Sequence, residues 1–210
     1  DWIYYTEFEL DPAVLLNDYI FISLNGIDTF ADVYLNDTKI GSIDNMFRSY
    51  CFSISKNTFK TRNILTLYFT SPVNTALNKR EQLPYPIPHQ IYPIQALGRN
   101  LIRKVQCHAG WDWGPCFMVS GIYDSVSINS TPLERIEAVH YDAFLKENSK
   151  NTWVLEVTTD ISAFTEGETT LSITCAGSQK DKAVALRQGR TTISLSLEIE
   201  SPDRWWPAGY

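Results

Sequence analysis

The stretch Tyr19-Ile-Phe-Ile-Ser-Leu-Asn-Gly-Ile-Asp-Thr-Phe-Ala-Asp-Val-Tyr-Leu35 decides the fold class of this chain. Its two halves, 19–24 and 29–35, are rich in β-branched and aromatic residues and predict two strands. Asn36-Asp37 then predicts a turn, and residues 39–43 predict a short return strand that completes a hairpin. Because successive side chains in a strand point to opposite faces, these segments need a core on one side.

The same alternation continues along the chain and predicts an all-β protein. In residues 64–70, Leu65, Leu67 and Phe69 alternate with polar or amphipathic neighbours. Further strands are predicted at 50–55, 117–120, 123–128, 135–141, 152–158, 168–175 and 191–199. The segment 129–133 (N-S-T-P-L) predicts a linker, so we expect one sandwich over 1–130 and an immunoglobulin-like sandwich over 131–210. Both ends look cut, which indicates part of a longer polypeptide.

Residues 72–93 interrupt the strand pattern. Residues 74–82 predict a short helix, whereas five of the ten prolines of the chain lie between 72 and 93 and predict a long loop. Long ordered loops are usually functional, and Tyr85, His89 and Tyr92 in this one disfavour disorder.

Composition excludes several classes of function. The net charge of −6 argues against sequence-independent nucleic-acid binding, and no apolar run approaches the length of a membrane span. No signal peptide is visible, and the sequence leaves the compartment open. The aromatic content of 13% suits β-sheet cores and also sugar-binding surfaces.

The four cysteines, Cys51, Cys107, Cys116 and Cys175, form no C-x-x-C pair. A zinc knuckle or thioredoxin motif is therefore not predicted. We expect buried thiols, with the pairing of Cys107 and Cys116 left open.

Chemistry-bearing residues concentrate in Arg99-Asn-Leu-Ile-Arg-Lys-Val-Gln-Cys-His-Ala-Gly-Trp-Asp-Trp-Gly-Pro115. Two glycines bracket Trp111, Asp112 and Trp113 and allow a sharp turn that pushes these side chains outward. Indole faces cover the apolar side of a pyranose, while a carboxylate accepts hydrogen bonds from its hydroxyls. We therefore expect a sugar-binding loop, with Arg103 and His108 near Asp112. The alternatives are a tryptophan-filled corner whose aspartate caps a turn, and a buried Asp112–Arg103 ion pair.

Catalytic and metal motifs are not recognisable in this sequence. His108 and Asp112 are four residues apart, but a metal site needs three or four ligands. No G-x-S-x-G occurs, and a pair of glycosidase carboxylates cannot be singled out from 24 acidic residues. The sequence thus predicts a binding loop with no catalytic residue, no metal and no cofactor.

Several motifs together resemble the N-terminal part of glycoside hydrolase family 2, and in particular its β-mannosidase branch. They occur in family order and span nearly the whole chain. The broad signal is Leu24-Asn-Gly-Ile-Asp-Thr-Phe-Ala-Asp-Val-Tyr-Leu-Asn36, and the more specific one combines Ile102-Arg-Lys-Val-Gln106 with His108-Ala-Gly-Trp-Asp-Trp-Gly-Pro115. The remaining matches are Gly41, Asn45-Met-Phe-Arg-Ser-Tyr50, Trp205-Trp-Pro207 and Gly209-Tyr210.

The resemblance implies a galactose-binding-like jelly roll, then an immunoglobulin-like domain, then a TIM barrel that carries the catalytic glutamates of a retaining mechanism. That barrel is absent from these residues, so the chain alone is expected to be inactive. Its partners would be a terminal β-mannoside and the missing barrel, with no nucleic acid or membrane. Carried over, Asp112 would bind sugar hydroxyls, Trp111 and Trp113 would shape the pocket wall, and Arg103 would support or join that contact.

Two alternatives remain open at this point. The first is another family 2 activity, such as a β-galactosidase, β-glucuronidase or exo-β-glucosaminidase. The second is a stand-alone carbohydrate-binding β-sandwich. Trp205 and Trp206 are also open to a plainer interpretation, as the end of an immunoglobulin-core strand.

Overall fold

The computed structural model describes residues 1–88 and 95–209. These residues form two compact units, with the boundary between Ser130 and Thr131. The strands of the first unit are β1 (Trp2–Phe8), β2 (Tyr19–Leu24), β3 (Ile27–Asp28), β4 (Phe30–Leu35), β5 (Thr38–Ile43), β6 (Tyr50–Ile54), β7 (Asn63–Thr70), β8 (Gly121–Ile122) and β9 (Val126–Thr131). One α-helix, α1 (Pro72–Glu81), lies between β7 and β8, and short 3₁₀ turns occupy Val14–Leu16, Lys56–Thr58, Arg99–Leu101 and Gln106–Ala109.

The first unit is built from antiparallel strands whose neighbours are mostly distant in sequence. One sheet has the order β1-β7-β4-β5 and another the order β6-β2-β9, while β3 pairs with β8. In the described part of this unit, β4 and β5 form a simple hairpin, with Leu35 opposite Thr38. Such crossing connections are typical of a jelly roll, in which two sheets share one core.

The core follows from the period-2 pattern of the sequence. Buried and half-buried residues alternate strictly along β2 and β4, and Ile22, Leu24 and Val33 are completely inaccessible to solvent. In β7, Leu67 and Phe69 are buried, whereas Tyr68 between them is 45% exposed. Burying these side chains provides the main driving force for folding of this unit.

The helix predicted at 74–82 is confirmed, and its start has a clear local cause. The Ser71 hydroxyl accepts a hydrogen bond from the Asn74 amide at 3.2 Å, and Pro72 occupies the first turn. The loop that follows is described only to residue 88, so His89 and Tyr92 lie outside the described residues.

The second unit contains five strands in two antiparallel sheets, and the whole chain is therefore all-β apart from short helical segments. They are β10 (Glu134–Leu145), β11 (Thr152–Ala163), β12 (Gly167–Cys175), β13 (Ser178–Leu186) and β14 (Gly189–Glu200), in the orders β10-β11-β14 and β12-β13. Ile193, Leu195 and Leu197 are buried on alternate positions of β14. This two-sheet arrangement confirms the predicted β-sandwich, and its immunoglobulin-like character stays a prediction.

The structure differs from four local predictions. Residues 117–120 form no strand, and the strand expected at 123–128 begins at Val126. Strand β13 was not predicted. Its first half (S-Q-K-D-K) is polar and mostly exposed, so it shows no alternation of apolar and polar residues. Trp205 and Trp206 are 83% and 62% exposed, so within this unit they do not end a core strand.

The prediction of buried thiols is also wrong, because none of the four cysteines is fully buried. Cys51 and Cys107 are exposed, and Cys116 and Cys175 are half-buried. Cys51 is exposed because it lies on the face of β6 opposite to the core face that Ile54 occupies. None of the four takes part in a disulfide among residues 1–88 and 95–209. In the same ranges no helix is long and apolar enough to cross a membrane.

Candidate functional site

The segment with the densest chemistry forms a loop on the first unit. We use the name tryptophan loop for residues 105–118, and its tip is Trp111 to Gly114. Just before the loop, the Arg103 carbonyl accepts a hydrogen bond from the Met46 amide at 3.0 Å. The loop returns to β8, where Gly121 pairs with Asp28 of β3.

The tip is a tight turn that presents its side chains outward. The Gly114 amide donates to the Trp111 carbonyl at 2.7 Å, and Asp112 has a left-handed φ of 46°. Trp111 and Trp113 are 58% and 95% exposed. The Asp112 side chain is exposed, and within the described ranges its carboxylate makes no hydrogen bond or ion pair. The two plainer interpretations, a tryptophan-filled corner and a buried ion pair, are therefore wrong.

The base of the loop is held firmly by its own residues. The Gln106 side-chain amide donates to the carbonyls of Arg99 and Lys104 at 3.1 and 3.2 Å, and Arg99 donates back to the Gln106 carbonyl at 3.2 Å. Ala109 is 1% exposed and packs in a small cluster with Ala96. An ordered base beneath an exposed tip is an arrangement that fixes functional side chains on a loop.

Among the described residues neither Arg103 nor His108 forms a hydrogen bond or an ion pair with Asp112. The Arg103 side chain is exposed, and its backbone forms a parallel bridge with Asn45. His108 instead faces Asp28, with 3.7 Å between its Nδ1 and the Asp28 Oδ2. The expected support of Asp112 by these two residues is therefore not present within the described part of the chain.

Beneath the loop lies an ion pair that sequence reasoning did not single out. Lys104 and Asp28 are 2% and 4% exposed, and the Lys104 ammonium donates to the Asp28 carboxylate. The same ammonium donates to the Val119 carbonyl at 2.7 Å. Both residues lie inside the motifs that carry the family resemblance, but a lysine and an aspartate in a sequence give no sign of burial.

A cavity of about 430 Å³ opens beside this pair. Its lining includes Tyr4, Asp28, Met46, His108 and Tyr123. The Nδ1 atom of His108 is buried and has no hydrogen-bond partner among the described residues. Burial lowers the pKa of His108, the nearby Lys104 ammonium lowers it further, and Asp28 opposes both effects. No group of three or more metal-ligating side chains occurs in the ranges 1–88 and 95–209.

The lowered pKa of His108 predicts a loss of stability in mild acid. The unfolded chain takes up a proton at the ordinary histidine pKa of about 6.5, before the folded state does. Stability of the first unit is therefore expected to fall as the pH drops below about 6.5 toward the folded pKa of His108. Amide hydrogen exchange at Val33 and Leu67 between about pH 5 and pH 7.5 measures this.

The matched variants are His108→Asn and His140→Asn, the latter on exposed strand β10. His108→Asn should flatten the profile over this pH range, and His140→Asn should leave it unchanged. An equally steep profile in His108→Asn would show that another group is responsible.

The fold and the loop together define a jelly-roll domain of the galactose-binding-like class. The profile of the family described as glycosyl hydrolase 2 galactose-binding domain-like matches residues 1–124. The chain belongs to this family, and thus to glycoside hydrolase family 2.

Several relatives cover the whole chain. A Bos taurus protein named beta-mannosidase is 33% identical over 225 residues, and beta-mannosidase B of Emericella nidulans is 29% identical over 216. Among solved structures, beta-D-mannosidase from Dictyoglomus thermophilum has a TM-score of 0.83 and 27% identity across 100% of the chain. Exo-chitosanase from Amycolatopsis orientalis shares the fold, with a TM-score of 0.71 and 19% identity over 99% of the chain.

The chain spans about a quarter of the length of these relatives. It covers 25% of the Bos taurus and Emericella nidulans proteins and of the Dictyoglomus thermophilum structure, and 22% of the exo-chitosanase.

Proposed function

We propose that this chain is the N-terminal, non-catalytic portion of a retaining exo-β-mannosidase that removes terminal β-D-mannose. In this proposal the tryptophan loop contributes to the sugar pocket of the complete enzyme. The observation that carries it is the exposed Asp112 carboxylate, which has no hydrogen-bond or ion-pair partner among residues 1–88 and 95–209, between two exposed indoles on an ordered base. The names of the relatives that cover the whole chain support the choice of sugar.

Each residue of the tip then has a defined task. The Asp112 carboxylate accepts hydrogen bonds from hydroxyls of the terminal sugar, and such charge-assisted bonds select their geometry. Trp111 and Trp113 cover the apolar C–H surface of the ring and form the pocket wall. Arg103, exposed two residues before the loop, joins the polar contacts to the sugar rather than supporting Asp112.

The bond cleavage itself is assigned to residues outside this chain. A retaining glycosidase needs one carboxyl group as acid and base and a second as nucleophile, about 5 Å apart. In our proposal a TIM barrel of the same polypeptide, typically about 250 residues, supplies this pair. The present chain binds and orients the sugar and helps to exclude water from the site.

Hydrolysis of an aryl β-mannoside tests the proposal. We expect activity in the full-length protein and none in the 210-residue chain assayed beside it. A panel of aryl β-galactoside, β-glucuronide and β-glucosaminide separates the sibling activities of the same family. Preference for one of these substrates would overturn the mannosidase assignment. A full-length protein that binds sugars but cleaves none of the panel would indicate a carbohydrate-binding module.

A further inference from the structure

The Lys104 ammonium connects the two ends of the tryptophan loop. Lys104 immediately precedes the loop, and Val119, whose carbonyl accepts from Lys104 at 2.7 Å, immediately follows it. The third partner, Asp28, lies in β3 and is 76 residues away in sequence. One buried cation thus fixes the start of the loop, its end and the adjacent sheet to one another.

Stability alone does not explain a buried ion pair at this position. Removing a lysine and an aspartate from water is costly, and well-packed apolar residues of similar volume are often as stable or more so. The hydrogen bond from Lys104 to Val119 indicates that the pair also fixes the position of the loop. The ammonium bonds a carbonyl at the returning end of the loop, which an apolar side chain cannot do.

We propose that Lys104, oriented by Asp28, is a positioning residue that sets the place of Asp112 and the two indoles at the loop tip. It acts through the loop and touches no sugar itself, since its side chain is only 1% exposed. This inference rests on the proposed function of the tip. It extends that function by naming the buried pair on which the geometry of the sugar site depends.

The decisive variants in the full-length protein are Lys104→Met and the paired change Asp28→Asn with Lys104→Met. The single change leaves a carboxylate buried without its partner and can impair folding. The paired change removes both charges and retains similar side-chain volumes, so it keeps the fold while removing the bond to Val119. We expect kcat/KM for an aryl β-mannoside to fall about 10- to 100-fold in the paired variant, because small misplacements of binding groups are costly.

A double-mutant cycle distinguishes positioning from general stability. If Lys104 acts through the loop tip, the loss of kcat/KM in the variant that combines the paired change with Asp112→Ala should be clearly smaller than the product of the two separate losses. Hydrogen exchange should rise in residues 105–118 of the paired variant, and exchange in β4 and β7 should stay unchanged. If the losses of the paired variant and of Asp112→Ala multiply fully, or if exchange becomes faster throughout the unit, the pair has only a structural role and the inference is wrong.

The same experiment separates failure of this inference from failure of the proposed function. If Asp112→Ala is fully active, the tip does not bind the sugar and both proposals are wrong. If Asp112→Ala loses activity while the paired variant keeps it at the unmodified level, only the positioning role of Lys104 is wrong.

Discussion

Replacing Asp112 by alanine in the full-length protein is expected to lower kcat/KM for an aryl β-mannoside by roughly 100-fold. The carboxylate is exposed and makes no bond within the described protein, so its removal leaves no internal partner unsatisfied. A 100-fold loss corresponds to about 2.7 kcal/mol, which is about what one charge-assisted hydrogen bond to a sugar hydroxyl contributes. The melting temperature should change little, because the side chain packs against nothing in the core.

Two further variants test whether the loss of activity comes from the missing charge of Asp112 or from a disturbed backbone. Asp112 has a φ of 46°, a conformation that asparagine tolerates better than alanine. Asp112→Asn should therefore keep the turn and still lose most of the activity, because the charge is gone. Asp37→Ala, which removes another exposed carboxylate of the same unit, should retain full activity. Normal kinetics in Asp112→Asn would show that no carboxylate is needed at the tip.

The second large effect concerns the stability of the first unit. Lys104→Met is expected to reduce its free energy of unfolding by about 3–5 kcal/mol, since Asp28 is then buried as an unpaired charge. The paired change Asp28→Asn with Lys104→Met should recover most of that loss. Urea titration with hydrogen exchange at Val33 and Leu67 measures the first unit separately from the second.

The pKa of His108 provides an independent measurement of the Lys104–Asp28 pair. The Lys104 ammonium is one of the causes that lower its pKa, and Asp28 opposes this effect. Lys104→Met should therefore raise the pKa of His108, which proton NMR of its ring can follow. A single Lys104→Met change that costs no stability, or leaves the His108 titration unmoved, would contradict the burial and charge of this pair.

Much of the fold could be predicted because its signal is local. The alternation in β2, β4 and β7 follows from one buried face, and the turn at Asn36-Asp37 gave the β4–β5 hairpin. Helix α1 followed from a short run of helix-forming residues and ends within one residue of the predicted position. The errors occur where the signal is weak, as in β13, whose first half is polar and exposed.

The candidate site was predictable only in part. The composition of the tip, with an aspartate between two tryptophans and flanking glycines, was sufficient to single out this exposed loop as the candidate site. Among the described residues neither Arg103 nor His108 hydrogen-bonds to Asp112, because nearness in sequence does not determine the direction of a side chain, and the role of Arg103 at the sugar stays a prediction. Within the described residues, His108 turns toward Asp28 instead.

The sequence by itself determined an all-β chain of family 2 type and the composition of an outward-facing loop, because alternation and turn residues act over a few positions. Only the tertiary structure decided which polar residues are buried and paired. Lys104 and Asp28 are 76 positions apart, and the pairing of β3 with β8 brings Asp28 opposite Gly121, two residues after Val119. Contacts of this kind depend on the path of the whole chain, which no local pattern of residues specifies.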